Sequence, residues 1–228
     1  MAGLTAITYY PVKGCAGVTL TEAAVTPTGL ADDRRYAVAD GNGELRWQGA
    51  DPRLALIAPE LLDGELTLRF PGHEPVRAGH DDVDAWLTRV LGRPSRLIRP
   101  PAGNHGRLHV VSRASLDDLN ARLTAAGSDP LPMNRFRPNL VVDGWDAPHT
   151  EDEASVLTVG GVELALTERT VRCAVTMVDQ DTGRKAGPEP LRTLAGHRRA
   201  DGGVVFGAYF RVLRPGKVSV GDEVGVRA

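Results

Sequence analysis

Glycine and proline, 26 and 16 of them in 228 residues, cut this chain into short pieces, and that punctuation limits what it can fold into. A helix needs about ten or more residues free of such breakers, whereas a strand needs about four to eight. The pieces are short apolar or alternating runs. Leu4–Tyr10, Val18–Val25, Tyr36–Asp40, Leu54–Pro59, Glu65–Phe70, Arg96–Arg99 and His109–Val111 are expected strands. So are Asn139–Val142, Ser155–Val159, Val162–Thr167, Ala174–Val178, Gly207–Leu213 and Lys217–Val220. Gly41-Asn42-Gly43, Asp63-Gly64 and Gly160-Gly161 supply residues that tolerate positive φ and are expected hairpin turns. Helical spacing is confined to three stretches. Asp81–Leu91 places Val83, Trp86, Leu87, Val90 and Leu91 on one face and stops at Gly92 and Pro94. Ser115–Ala126 carries Leu116, Leu119 and Leu123, with Ser112 or Ser115 as the cap. Glu189–Leu194 follows Pro188. The expected fold is mainly β with a few helices (α+β), and barrel-like.

Composition excludes several classes. A hydrophobic fraction of 42% and a charged fraction of 25% are those of a globular chain. The formal charge of −2 offers no field for nucleic acid or anionic lipid. The start MAGLTAITYYPVKG has neither the basic region nor the apolar stretch of an export signal, and no run suits a membrane span. The expected compartment is therefore the cytoplasm, with the two cysteines, Cys15 and Cys173, reduced. The Pro/Gly-rich segment 99–106 divides the chain into an expected first domain, residues 1–98, and a second, residues 107–228.

Most familiar chemistries lack their motifs. Six histidines occur without HxH or HExxH spacing, and His105 and His109 straddle a joint and a strand, so they read as loop and surface groups. There is no GxSxG, no P-loop, and no glycine-rich fingerprint opening a helix after a strand.

Two segments carry chemistry. In Thr170–Gly183, Cys173 follows Arg172 and precedes an Asp-Gln-Asp-Thr-Gly turn. A single cysteine at a strand edge is commonly structural. A neighbouring guanidinium equally favours a thiolate, a soft ligand for a transition metal. Residue chemistry leaves the two readings even. In Asn134–Asn139, Arg135 and Arg137 sit two apart, so in an extended chain they project to the same side and can grip phosphate or carboxylate. Tyr10–Gly14 and Asp33–Tyr36 add Lys13 and Arg34. Separated cations on a net-acidic chain suit a small anionic ligand.

These segments, in this order, resemble the MOSC family, in particular its two-part members, a MOSC N-terminal β-barrel domain followed by a MOSC domain, as in amidoxime-reducing components. The resemblance rests on YPVKGC, GLADDRRY, SRASLDDLN, NRFRPNLVV, RCAVTMVDQDTG, FGAYFRVL and PGKVSVGDEV and spans nearly the whole chain. It implies a β-barrel-like MOSC domain packed on a smaller β-rich domain, with molybdenum cofactor (Mo-molybdopterin) in the cleft between them. By the same resemblance Cys173 is the metal ligand and catalytic centre, and Lys13 and Arg34 are cofactor contacts from the first domain. Arg137 and Asn139 are contacts from the second, joined by Ser112, Arg172 and Tyr209. Gly14 stands where the eukaryotic relatives have serine, so a hydroxyl contact is lost. Asp179 and Asp181 are placed at the substrate mouth, against the alternative that they only form the turn.

The implied activity is oxygen-atom and two-electron transfer at a cysteine-ligated molybdenum, reducing N-hydroxylated compounds such as amidoximes and hydroxylamines. The alternatives are a carrier of molybdenum cofactor or of a cysteine persulfide, and a β-rich interaction domain whose cysteine is structural. The chain has no cysteine-rich extension and no room for a desulfurase domain. No iron–sulfur cluster and no pyridoxal phosphate are therefore expected in it, and electrons are expected from a separate ferredoxin- or flavin-type protein. The expected state is a monomer, away from nucleic acid and membrane.

Overall fold

The computed structural model describes residues 1–79, 82–100, 106–200 and 202–227. The first half runs through β1 (Gly3–Tyr9), β2 (Val12–Lys13), β3 (Val18–Leu20), β4 (Glu22–Thr26), β5 (Gly29–Leu30) and β6 (Tyr36–Asp40). β7 (Ala58–Leu62), β8 (Glu65–Phe70) and β9 (His73–Arg77) form a meander, followed by α1 (Val83–Leu91) and β10 (Ser95–Ile98). The second half opens with β11 (Arg107–Ser112), α2 (Arg113–Ala125) and β12 (Leu140–Asp143). It continues with α3 (Thr150–Glu153), β13 (Val156–Val159), β14 (Val162–Val171), β15 (Val178–Asp179) and β16 (Arg184–Lys185). α4 (Leu191–Ala195), β17 (Arg199–Ala200), β18 (Gly203–Arg214), β19 (Gly216–Ser219) and β20 (Val224–Arg227) complete it.

The protein is mainly strand, as the punctuation of the sequence predicts. The largest sheet runs β20-β13-β14-β18-β11-β12-β1-β3. All its pairings are antiparallel except β11 with β12. The expected barrel is not closed: among the described residues no sheet forms a continuous ring. The gap is spanned by one bridge, Gly3 with Glu223, and by backbone bonds such as Leu4 N–H to Asp222 O at 2.9 Å. Within the sheet, β14 and β18 slip register at three places, which bends it.

Strands from both sides of residues 99–106 share sheets. β1 pairs with β12, and β4 pairs with β19. Leu4, Ile7, Leu108, Val110, Leu140 and Phe210 meet in the core of the large sheet. A separate core of Val12, Val38, Leu54, Leu68, Leu87 and Val90 lies under α1. α2 and α4 cover a third, in which Phe136 stacks on Phe206 at 4.1 Å.

α1, α2 and α4 follow their sequence signals at one or two residues' offset, whereas α3, a single turn, was not expected. α1 starts at Val83, buries Trp86, Leu87, Val90 and Leu91, and ends on Gly92 at φ 73°. His80 and Asp81, the expected start of this helix, lie outside the described residues, as do residues 101–105 of the expected joint, including His105. α2 is capped by Ser112, whose Oγ accepts from Ser115 N–H at 3.1 Å. Two expected strands fail. Pro52–Leu56 is a 3-10 turn, helped by proline at its first position. Ala174–Met177 is another, because the Cys173 carbonyl accepts both the backbone N–H of Thr176 and its hydroxyl.

Candidate functional site

β1 delivers Tyr10 to the centre of the molecule, and two cations settle on its ring. The guanidinium of Arg34 lies 5.0 Å from the ring centroid and that of Arg137 lies 4.1 Å from it. The Tyr10 hydroxyl donates to the Pro138 carbonyl at 3.1 Å. Arg34 and Arg137 both have φ of 54°. A left-handed backbone costs a non-glycine residue about 1 kcal/mol or more, so tertiary contacts must hold both. Arg135 and Arg137 therefore do not project together from an extended strand. Met133–Phe136 is a 3-10 turn that ends on Arg137, and Arg135 points away, its Nε donating to the Thr176 carbonyl at 2.9 Å.

Arg34 and Arg137 open into a cavity of about 370 Å3, whose wall also carries Lys13, Arg172, Cys173 and Tyr209. Arg46 and Arg107 join them, giving six cations and no carboxylate among the lining side chains. Arg34, Arg46 and Arg107 are each paired with a carboxylate behind the wall: Asp33, Asp51 and Glu168. Among the described residues no carboxylate pairs with Arg137 or Arg172. Burial lowers the pKa of both from the ordinary guanidinium range, and Arg34 adds to the effect at Arg137. Burial also opposes the charge of Arg34, but Asp33, Tyr209 and Tyr10 together outweigh it and its pKa is raised. The Nε–H groups of Arg46 and Arg172 and the Thr170 hydroxyl, all on the lining, are buried without a partner. Unmet donors among buried cations are the signature of an anion site.

Cys173 is exposed on this wall, whereas Cys15 is fully buried and its thiol is pushed up to about 12 by desolvation. Among the described residues no three His, Cys, Asp or Glu side chains converge as a metal site. A metal at Cys173 would have to arrive with its other donors already attached.

The remaining residues expected at the site lie elsewhere. Asn139 is 1% exposed and braces the wall from behind. Its Nδ2 donates to Thr8 O at 3.1 Å, and its Oδ1 accepts from His109 N–H at 3.1 Å and Arg34 Nη1 at 3.4 Å. Asp179 closes its own turn, accepting from the Thr182 hydroxyl at 2.7 Å and the Thr182 N–H at 2.8 Å. Asp181 lines a second cavity of about 360 Å3 that touches the first only through Arg137. Ser112 is fully buried under α2, its Oγ 2.7 Å from that of Ser115, and does not reach the cavity. Ser112→Ala is expected to cost about 1 kcal/mol in chemical denaturation through the lost cap.

Sequence reading passed over Tyr10, Arg46, Trp47, Gln48, Arg107 and Phe136, all of which meet at or beside the cavity. His109, expected as a loop or surface group, is instead 1% exposed within β11 and lines the cavity. Gln48 and Gln180 exchange amide hydrogen bonds of 3.0 and 3.1 Å, and Gln180 also accepts from Arg137 Nη1 at 3.2 Å. The YPVKG and DQDTG motifs held Tyr10 and Gln180, but nothing local ties either to Arg137.

The MOSC domain family model matches residues 99–225, and the model of the MOSC N-terminal beta barrel domain matches residues 1–79. The chain belongs to the MOSC family. Mitochondrial amidoxime reducing component 2 of Rattus norvegicus is 31% identical to this MOSC protein over 94% of its length and 80% of the rat chain. Mitochondrial amidoxime-reducing component 1 of Homo sapiens is likewise 31% identical over 94% and 80%. Molybdenum cofactor sulfurase of Solanum lycopersicum is 27% identical, and the match takes in 97% of the MOSC protein but 35% of the tomato chain. Among the described residues no helix of the MOSC protein is long and apolar enough to cross a membrane.

Proposed function

We propose that this protein binds molybdenum cofactor in the six-cation cavity and reduces N-hydroxylated organic compounds there. The observation that carries the reading is Cys173, an exposed thiol on the wall of a cavity that has six cations and no carboxylate. The donor set fits the group. Lys13, Arg34 and Arg137 meet its phosphate and pterin, Arg172 offers a buried and unmet Nε–H, and Cys173 offers one soft sulfur. When bound, the cofactor supplies a centre that exchanges an oxygen atom and two electrons.

The chain's own residues bind, orient and enclose. Asn139 holds the Arg34 side of the wall against β11, and the Gln48–Gln180 pair holds Arg137. Trp47 and Val171, 44% and 49% exposed, line the mouth beside Cys173. An apolar mouth over a cationic floor suits a neutral substrate with an aryl or alkyl body. The net reaction breaks one N–O bond, consumes two electrons and two protons, and releases water. The electrons come from a separate donor protein. The similarity to proteins named amidoxime-reducing components supports this substrate class.

The test is protein made in a host that synthesises the cofactor. Molybdenum and pterin are expected in equal amounts, together with reduction of benzamidoxime by an artificial electron donor. Protein that carries both but is inert on amidoximes and hydroxylamines would leave the carrier role. Protein that never retains either would overturn the reading.

A further inference from the structure

His109 on β11 is 1% exposed, lines the cavity, and has no part in the reading above. Its Nε2 lies 3.3 Å from Arg172 Nη1, and its Nδ1 lies 3.4 Å from the Arg137 carbonyl. A guanidinium can only donate and a carbonyl can only accept. These two partners favour the proton on Nδ1 and a bare Nε2 facing Arg172. Both bonds are long and each is weak alone, and the close wall of β18 confines the ring. Gly207 on β18 faces it at φ 73°, and a Cβ there would stand 2.7 Å from Nε2. The Tyr209 ring lies 5.2 Å away on the same strand. Burial and then Arg172 drive the imidazole pKa well below its usual value, against the pull of the Arg137 and Phe206 carbonyls. Arg172 is gripped at two further points: Nη2 donates to the Phe136 carbonyl at 2.9 Å, and its backbone N–H donates to Val204 O at 2.7 Å.

We propose that His109 is a positioning residue: its imidazole, tied through Nδ1 to the Arg137 segment and through Nε2 to the Arg172 guanidinium, spaces these two carboxylate-free cations on the cavity wall that also carries Cys173. The role deepens the cofactor reading, since Arg137, Arg172 and Cys173 are the groups that reading places around the ligand. It also assigns Gly207, in the motif FGAYF, as the residue that makes room for the ring.

The experiment uses the cofactor-free full chain, so its result does not depend on molybdenum. Cys15 is sealed, so iodoacetate modifies Cys173 alone and mass spectrometry follows one adduct. Arg172 lines the cavity that this anionic reagent must enter, so His109→Phe, which frees the guanidinium to swing away, is expected to slow alkylation at pH 7.5 by about threefold or more. His109→Gln, which can still accept and donate, is expected to restore most of the rate. Arg172→Met is expected to slow it equally, and His109→Phe added to Arg172→Met is expected to change nothing further. Additive effects of the two would show that His109 does not act through Arg172 and would overturn the proposal. Should His109→Phe fail to fold, nitrogen NMR of the unaltered chain decides. The Nδ1–H tautomer of His109 at neutral pH supports the role, and the Nε2–H tautomer overturns it.

Discussion

Cys173→Ser is expected to yield a folded protein that reduces benzamidoxime at no more than about one hundredth of the original rate. Losing only an outer-shell partner of a metal ligand costs about 10- to 100-fold, so losing the ligand itself sets that figure as a floor. Serine offers a hard, protonated oxygen in place of a soft sulfur. Nothing in the packing resists the change, because Cys173 is exposed and sits at the start of a turn closed by its carbonyl rather than by its thiol. Thermal melting should therefore be unchanged. The six cations survive the substitution, so the cofactor proposed to bind there can still enter with its metal, and the assay reads the missing sulfur rather than a lost site. A serine variant with full metal content and activity would remove Cys173 from the site and return it to the structural reading.

Gly207→Ala is expected to have the largest effect on stability of any methyl added near the cavity. The new Cβ would lie 2.7 Å from His109 Nε2 and Val111 Cγ2 and 2.8 Å from the Val110 carbonyl. The carbonyl cannot retreat, because Val110 is paired with Ala208 in the centre of the large sheet. The left-handed φ of 73° adds a conformational cost that glycine avoids. Overpacking and backbone strain together should cost about 3 kcal/mol, which for a chain of this size lowers the melting temperature by about 10 °C. Calorimetry checks the first figure. A drop of only about 1 kcal/mol would mean that His109 moves aside at little cost, which would also weaken its role as a strut.

The hairpins were legible because their information is local. Asp63-Gly64 and Gly160-Gly161 carry turn chemistry in adjacent residues, and β7–β8 and β13–β14 form around them. α1 and α2 were legible for the same reason, since a spacing and a cap suffice. Ala174–Val178 was not. Its alternating composition suits a strand, but one carbonyl, that of Cys173, gathers two donors from Thr176 and winds it into a turn. The Arg135–Arg137 pair misled similarly. An extended chain would aim both to one side, but the 3-10 turn and the left-handed Arg137 send them apart. Ser112 read correctly as a cap, and the same residue was also placed at the cofactor by family likeness. The structure puts its hydroxyl under α2.

By itself the sequence determined a strand-rich fold, three of its helices, its hairpins, the family, and a cysteine that follows an arginine. Those depend on residue spacing and on motifs that survive in the linear chain. Only the tertiary structure decided which cations share a cavity with that cysteine and which are neutralised behind its wall. It also decided that among the described residues the large sheet does not close into a ring, and that a histidine read as a surface group stands buried between two arginines. The reason is distance along the chain: Tyr10, Arg34, His109, Arg137 and Arg172 meet only after β1, β11, β14 and β18 have taken their places in one sheet.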